Sequence, residues 1–263
     1  MDREKLFEEF INECEKEPLT FCGQGNPNAD ILIIGKESTD TSEALIRDKI
    51  RLCRDKVNRD APRDINSQNK TWCYYQKLID EIYQRKSEEP NKWDFEKLAF
   101  TTEMNNIPSK RSYLTKEIKD GINKRLQFFK DSRFIKSFPV VILACSNYIN
   151  NDKKNGYQIN QTFGVEFDNE PNSDGSPIGE HKKKYPTGFW FYTHHSKDKQ
   201  KLVIHTVQLS QIQNDMIEDM ANEIRDHLTK LGKIWRKFKI KDGVLLETTE
   251  VRIEDYSKLL KYN

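Results

Sequence analysis

A three-layer α/β/α fold with a mostly parallel central sheet is what the sequence predicts, and three observations predict it. Residues Ile31 to Ile34 and Pro139 to Ala144 are short runs apolar at every position, the pattern of strands buried on both faces. They alternate with stretches of ten or more residues that carry helical periodicity, which favours a parallel sheet covered by helices. The chain of 263 residues suits one large domain or two small ones, and its 14 Phe, 10 Tyr and 4 Trp supply the apolar faces of a core. We expect a single domain over 1–263, with its core over about 20–231, an insertion over about 150–186 and a basic extension over about 232–263.

The elements follow in order. Leu6, Phe7, Phe10, Ile11 and Cys14 form the stripe of an amphipathic helix. The turn-rich stretch from Phe21 to Ala29 leads into the first strand, which Gly35 ends. Asp40 and Glu43 have the spacing of a capping box, predicting a helix from about Thr41 to Val57. A polar loop over Val57 to Lys70 precedes a helix with Trp72, Tyr75, Leu78, Ile79 and Ile82 on one side. A second strand is expected at Leu98 to Thr102, a long helix from about Leu114 to Phe134, and a third strand at Pro139 to Ala144. Asn150 to Pro186 reads as irregular. Phe189 to His194 and Leu202 to Thr206 flank the polar turn Ser196 to Gln200 and predict a hairpin, and a last helix spans Gln211 to Leu231.

Composition excludes several function classes. No run approaches the roughly 18 to 20 apolar residues of a membrane span. The first ten residues alternate charged with apolar side chains, unlike a secretory signal, so a cytoplasmic protein is expected. Five cysteines, Cys14, Cys22, Cys53, Cys73 and Cys145, include no C-x-x-C pair, which argues against a disulfide framework or a zinc knuckle. Adjacent strand residues face opposite sides, so His194 and His195 do not share one metal ion. With 44 basic and 42 acidic residues the net charge is only +2, and any polyanion partner must be met by local clusters. One such cluster is Lys230, Lys233, Arg236, Lys237, Lys239 and Lys241, interleaved with Trp235 and Phe238.

In sheets of this kind ligands bind beyond the carboxyl ends of the strands, so the residues after Ile34, Thr102, Ala144 and Ile204 are those to examine. Gly35-Lys36 is not a phosphate-binding loop, because Asp30 stands where that loop needs a glycine and Glu37 where it needs Ser or Thr. Gly23-Gln24-Gly25 precedes a strand instead of following one, so it is not a dinucleotide fingerprint. After Ile204, His205 ends the fifth strand and Leu209 follows four residues later.

Two stretches carry a family resemblance. The first is Gly23-Gln24-Gly25-Asn26-Pro27-Asn28-Ala29, then the apolar strand and Gly35-Lys36-Glu37-Ser38; the second is His205-Thr206-Val207-Gln208-Leu209-Ser210. In order and separation they resemble the uracil-DNA glycosylase superfamily, over Thr20 to Leu231. In that superfamily Gly-x-Gly-x-Pro-x-Ala leads into a strand and a Gly-x-Asp/Asn/Ala-Pro loop, and a late strand ends in His-Pro-Ser-x-Leu-Ser. The chain departs by Ser38 in place of that proline, Thr206-Val207 in place of Pro-Ser, and Glu37 in the acid position, one methylene longer than Asp.

The resemblance implies a uracil-DNA glycosylase-like fold and cleavage of the N-glycosidic bond of uracil or a modified pyrimidine in DNA, with the nucleotide flipped out of the duplex. It implies Glu37 and His205 as catalytic residues, the carboxylate orienting water and the imidazole donating to a base oxygen. Gly35, Ser38, Asn105 or Asn106, and Trp72 would bind the base, an asparagine offering both a donor and an acceptor. Leu209 and Ser210 would enter or flank the vacated stack, while Lys233, Arg236 and Lys237 meet phosphates. Each residue has a plainer reading. Glu37 also fits a solvated loop, His205 a hydrogen-bonded strand end, Leu209 and Trp72 core packing, and the lysines a solvated face. No cofactor, iron–sulfur cluster or other metal is expected, the partner is DNA, and a monomer is expected. A nucleic-acid-binding module of the same fold without catalysis is the alternative.

Overall fold

The computed structural model describes residues 2–16, 22–37, 50–56, 59–64, 70–85, 92–105, 109, 114–168, 183–186, 188–210, 212–241 and 244–251. The strands in chain order are β1 (Gln24–Gly25), β2 (Ile31–Gly35), β3 (Arg63–Asp64), β4 (Lys92–Trp93), β5 (Ala99–Glu103), β6 (Val140–Ala144), β7 (Glu166–Phe167), β8 (Lys183–Lys184), β9 (Trp190–His195), β10 (Leu202–Thr206), β11 (Ile234–Lys241) and β12 (Val244–Val251). Contacts divide the chain into two units, one of residues 1–61 and 96–209, the other of residues 62–95 and 210–263.

The first unit holds the central sheet, in the order β1-β5-β2-β6-β10-β9-β7 with β8 also on β9. Its middle strands β5, β2, β6 and β10 are parallel, and β1, β9, β7 and β8 pair antiparallel at the margins. The protein is therefore a mixed α/β fold with a central sheet flanked by helices, and the β9–β10 hairpin is present as expected. The chain leaves β2 for β5 on one side and then crosses to β6 on the other, which makes β2 the point where the winding direction reverses.

Period-two alternation sends Leu32, Ile34, Phe100, Val141, Leu143 and Val203 into one apolar cluster. The helix Arg3–Glu15 meets them with Leu6, Phe7, Phe10 and Ile11, and the helix Lys116–Asp131 with Ile118, Ile122, Leu126 and Phe129. At its centre Phe7, Phe100, Phe134 and Phe138 sit edge-on, tilted or, for Phe100 and Phe138, stacked, at 5.0–6.2 Å between ring centroids, within the favourable range for aromatic pairs. The alternate residues Ile31, Ile33, Val140, Ile142, Leu202 and Ile204 are fully buried too, which explains strands apolar at every position.

Some expectations shift. The helix predicted to Phe134 ends at Asp131, because Ser132 is extended and its hydroxyl caps a new short helix at the Ile135 amide. The insertion is not irregular throughout: Gln158–Phe163 is a helix closed by left-handed Tyr157 and Gly164, and its Ile159 and Phe163 join the core. The capping residues Asp40 and Glu43 lie outside the described residues, while residues 50–54 are helical.

Gly23 and Gly25 have positive φ of 127° and 101°, and a Cβ on either would lie 2.4 Å from a carbonyl oxygen, of Thr101 and Ala99 respectively. These glycines let β1 lie tight against β5.

The second unit contains the helices Lys70–Tyr83 and Asn214–Lys230, the small β3–β4 pair and the antiparallel β11–β12 hairpin. Arg225 ties the two helices, donating from Nε to the Ile82 carbonyl at 3.1 Å. Gln76 bonds Asp94 at 2.9 Å, and Asp94 in turn pairs with Arg85 at 2.6 Å.

Candidate functional site

Register places one row of residues across the parallel strands: Thr102 of β5, Ile34 of β2, Leu143 of β6 and His205 of β10. Each strand ends one residue past this row, and the chain two residues further on reaches Asn105, Glu37, Ser146 and Gln208. These positions form one tier at the carboxyl ends of the strands, where an open α/β sheet binds its ligands. Only β6 separates β2 from β10, so their axes stand roughly 10 Å apart at ordinary strand spacing.

Hydrogen bonds fasten the tier. The Met104 and Asn105 amides donate to the Gly35 and Lys36 carbonyls, each at 2.9 Å, so the segments after β5 and β2 run side by side. Asn105 is 1% exposed, while Gly35, Lys36 and Glu37 are half-buried. The Lys36 ammonium lies 5.1 Å from the centre of the Tyr148 ring, which joins the β2 segment to the one after β6. Cys145, fully buried, has its thiol pushed up by burial, with nearby Lys36 opposing the shift.

His205 is largely buried, and its Nε2 lies 2.8 Å from the Ser146 carbonyl oxygen. A carbonyl only accepts, so Nε2 carries the proton there. The edge of Trp190 meets the imidazole at 4.9 Å, and Tyr192, opposite it on β9, is tilted at 6.3 Å. Ser146 has a φ of 51°, a left-handed backbone uncommon for a residue other than glycine, and its Oγ accepts the Gln208 amide at 3.2 Å.

The neighbouring histidines behave differently. Buried His194 has its pKa pushed down to about 3, by burial first and then by His205. His195 is partly exposed, with Nδ1 at 2.8 Å from both oxygens of Asp168. Burial pushes the Asp168 carboxyl up, but His195, Thr193 and Lys199 outweigh it and hold it below the usual carboxylate range. The two histidines thus face opposite sides, and no group of metal-binding side chains occurs among the described residues.

The remaining expected site residues fall elsewhere or outside view. Ser38 and Asn106 lie outside the described residues. Leu209 is fully buried, so a role as a wedge requires the segment after β10 to move outward. Trp72 and Ser210 belong to the second unit, where Trp72 stands edge-on to Trp93 at 5.4 Å and to Phe95 at 6.1 Å. Lys233 closes the helix Asn214–Lys230, its amide donating to Leu228 at 2.8 Å, and Arg236 and Lys237 lie in β11. An open groove of about 620 Å³ lies near the hairpin turn at the opposite end of β10, lined by Asn160, Val165, Glu166, Ser196 and Asp198. None of the tier residues lines it.

Sequence reasoning passed over Ser146 and Gln208. The rule that found Glu37 and Asn105, reading onward from each strand end, also reaches Ser146 from Ala144. No protein-family model matches the chain, and no curated protein matches it in sequence.

Proposed function

We propose that the protein is a DNA glycosylase-like hydrolase of uracil-DNA glycosylase-like fold, which cleaves the N-glycosidic bond of uracil or a modified pyrimidine flipped out of DNA. The observation that carries this reading is the neighbourhood of the strand ends: the segment that carries Glu37 is hydrogen-bonded to the one that carries Asn105, and His205, level with Ile34 and Leu143, stands on β10 with only β6 between it and β2. On this reading the Glu37 carboxylate orients water toward the sugar C1′ and stabilises its developing positive charge. The C1′–N1 bond breaks with its electron pair leaving on the base, the water oxygen bonds C1′, and the proton that the water gives up to the Glu37 carboxylate passes on to the departed base anion. Asn105 reads the pyrimidine edge through its donor and acceptor. The protein acts as a cytoplasmic monomer without a cofactor, and the basic residues Lys233, Arg236 and Lys237 meet DNA phosphates.

One observation favours a second reading, a DNA-binding module of the same fold that does not cleave. The single N–H of a neutral His205 is directed at Ser146, so donation to a base oxygen needs a protonated imidazole or release from that carbonyl. Duplexes carrying uracil or hydroxymethyluracil separate the two. The enzyme reading expects free base to be released, and Glu37→Gln to slow release at least about a hundredfold. Salt-sensitive binding with no release, unchanged by Glu37→Gln and His205→Ala, supports the binding module and removes the enzyme.

A further inference from the structure

We infer that Ser146 is a positioning residue for His205, setting which nitrogen of the imidazole carries its proton and where the ring stands. The inference rests on the reading of His205 as a group that faces substrate. Ser146 stands two residues past the end of β6, which lies between the strand that leads to Glu37 and the one that carries His205. It touches the β10 segment twice. Its carbonyl accepts from His205 Nε2 at 2.8 Å, and its hydroxyl accepts the Gln208 amide at 3.2 Å. The first bond fixes the ring and the second fixes the backbone three residues further on, so one residue clamps both ends of the turn after β10.

The backbone explains why a single residue manages both. Ser146 follows Cys145 with a φ of 51°, which turns its peptide away from the line of β6. Such a conformation is costly for a side chain other than glycine or asparagine, and it persists only where neighbouring structure holds it. At Ser146 the compensation is visible in the two bonds to β10. Trp190 and Tyr192 close the ring in from the β9 side, so rotation of the imidazole must break the Ser146 bond. His205 is therefore held as one tautomer in one orientation, and it can donate to a base oxygen only when the ring is protonated or turns away from the Ser146 carbonyl.

The test reads the imidazole directly. In long-range proton–nitrogen spectra of the full chain at neutral pH, with His205→Gln as the assignment control, the His205 proton is expected on Nε2. Ser146→Val disfavours the left-handed backbone and turns the carbonyl away, so the tautomers redistribute and the Nε2 proton exchanges about tenfold faster, as loss of one hydrogen bond predicts. Ser146→Asn tolerates the same φ, retains an oxygen acceptor and restores the wild-type spectrum. If the valine variant does not fold, Ser146→Gly decides: it keeps the φ but lacks the hydroxyl, and the loosened Gln208 tether raises Nε2 exchange. A proton on Nδ1 in the wild type, an unchanged His205 signature in a folded valine variant, or wild-type exchange in the glycine variant overturns the proposal. No DNA enters this experiment, so its failure is distinct from failure of the base-release assay.

Discussion

Arg125 is the buried cation on which the carboxyl end of β5 depends, and replacing it by alanine and by methionine tests that dependence. The side chain is 2% exposed. Its Nη2 donates to Thr102 Oγ1 at 2.9 Å and its Nε to the Glu103 carbonyl at 3.1 Å, two residues before Asn105. The guanidinium lies 4.6 Å from the Phe129 ring centre and 5.0 Å from that of Phe128. Two charge-assisted hydrogen bonds contribute about 1.5–3 kcal/mol each, and the ring contacts about 1–2 kcal/mol. The buried stem adds about 2 kcal/mol. Relief of the desolvation penalty, several kcal/mol, offsets much of this. The net cost of Arg125→Ala is therefore about 3 kcal/mol, and Arg125→Met, which refills the stem volume, costs about 1–2 kcal/mol. Urea denaturation at neutral pH measures both. The amide protons of Met104 and Asn105, bonded to the Gly35 and Lys36 carbonyls, should exchange faster in the alanine variant. Both variants within about 0.5 kcal/mol of wild type, with those amides unchanged, refute the anchoring argument.

Three further outcomes follow from the same structure. His194 has a folded pKa near 3, below its unfolded value of about 6.5, so the unfolded chain binds the extra proton and stability falls as pH drops from about 6.5 toward 3. The slope from this group is about 1.4 kcal/mol per pH unit, and His194→Phe should flatten it in acid denaturation measured at several pH values. Gly25→Ala sets a Cβ 2.4 Å from the Ala99 carbonyl at a φ of 101°, so it should cost at least about 2 kcal/mol in urea midpoint, with Gly232→Ala, whose Cβ meets nothing within 4 Å, costing about 1. If β11 meets DNA phosphates, Arg236→Glu with Lys237→Glu should weaken binding to every duplex alike and reduce the slope of log affinity against log salt by about 2.

The central strands were readable because they are buried on both faces: Ile31–Ile34 and Val140–Ala144 leave no polar position to confuse the pattern. The tier past their ends was readable only in part. Glu37 and Asn105 are residue types that announce chemistry, whereas Ser146 owes its place to a left-handed backbone, and no composition rule marks that conformation in a serine. Gly23 and Gly25 echo a family motif in the sequence, and the structure gives them a steric reason in the close approach of β1 to β5. The short helix Gln158–Phe163 was hidden because two apolar residues four apart, Ile159 and Phe163, are too few to show a period amid asparagine and glycine. In the basic extension the charge was noticed and the alternation was not. Phe238 and Ile240 alternate with Lys237, Lys239 and Lys241 at a period of two, the pattern of the strand β11, although Trp235 and Arg236 before them break it.

The most direct measurement is a crystal structure of the protein bound to a duplex bearing a 2′-fluoro-deoxyuridine, whose glycosidic bond resists hydrolysis. Our account predicts the uracil everted beyond the carboxyl ends of β5, β2, β6 and β10, its edge on Asn105, Glu37 near C1′, and His205 still joined to Ser146 or turned from it toward the base. A uridine left stacked in the duplex, or a base held away from these strand ends, contradicts it.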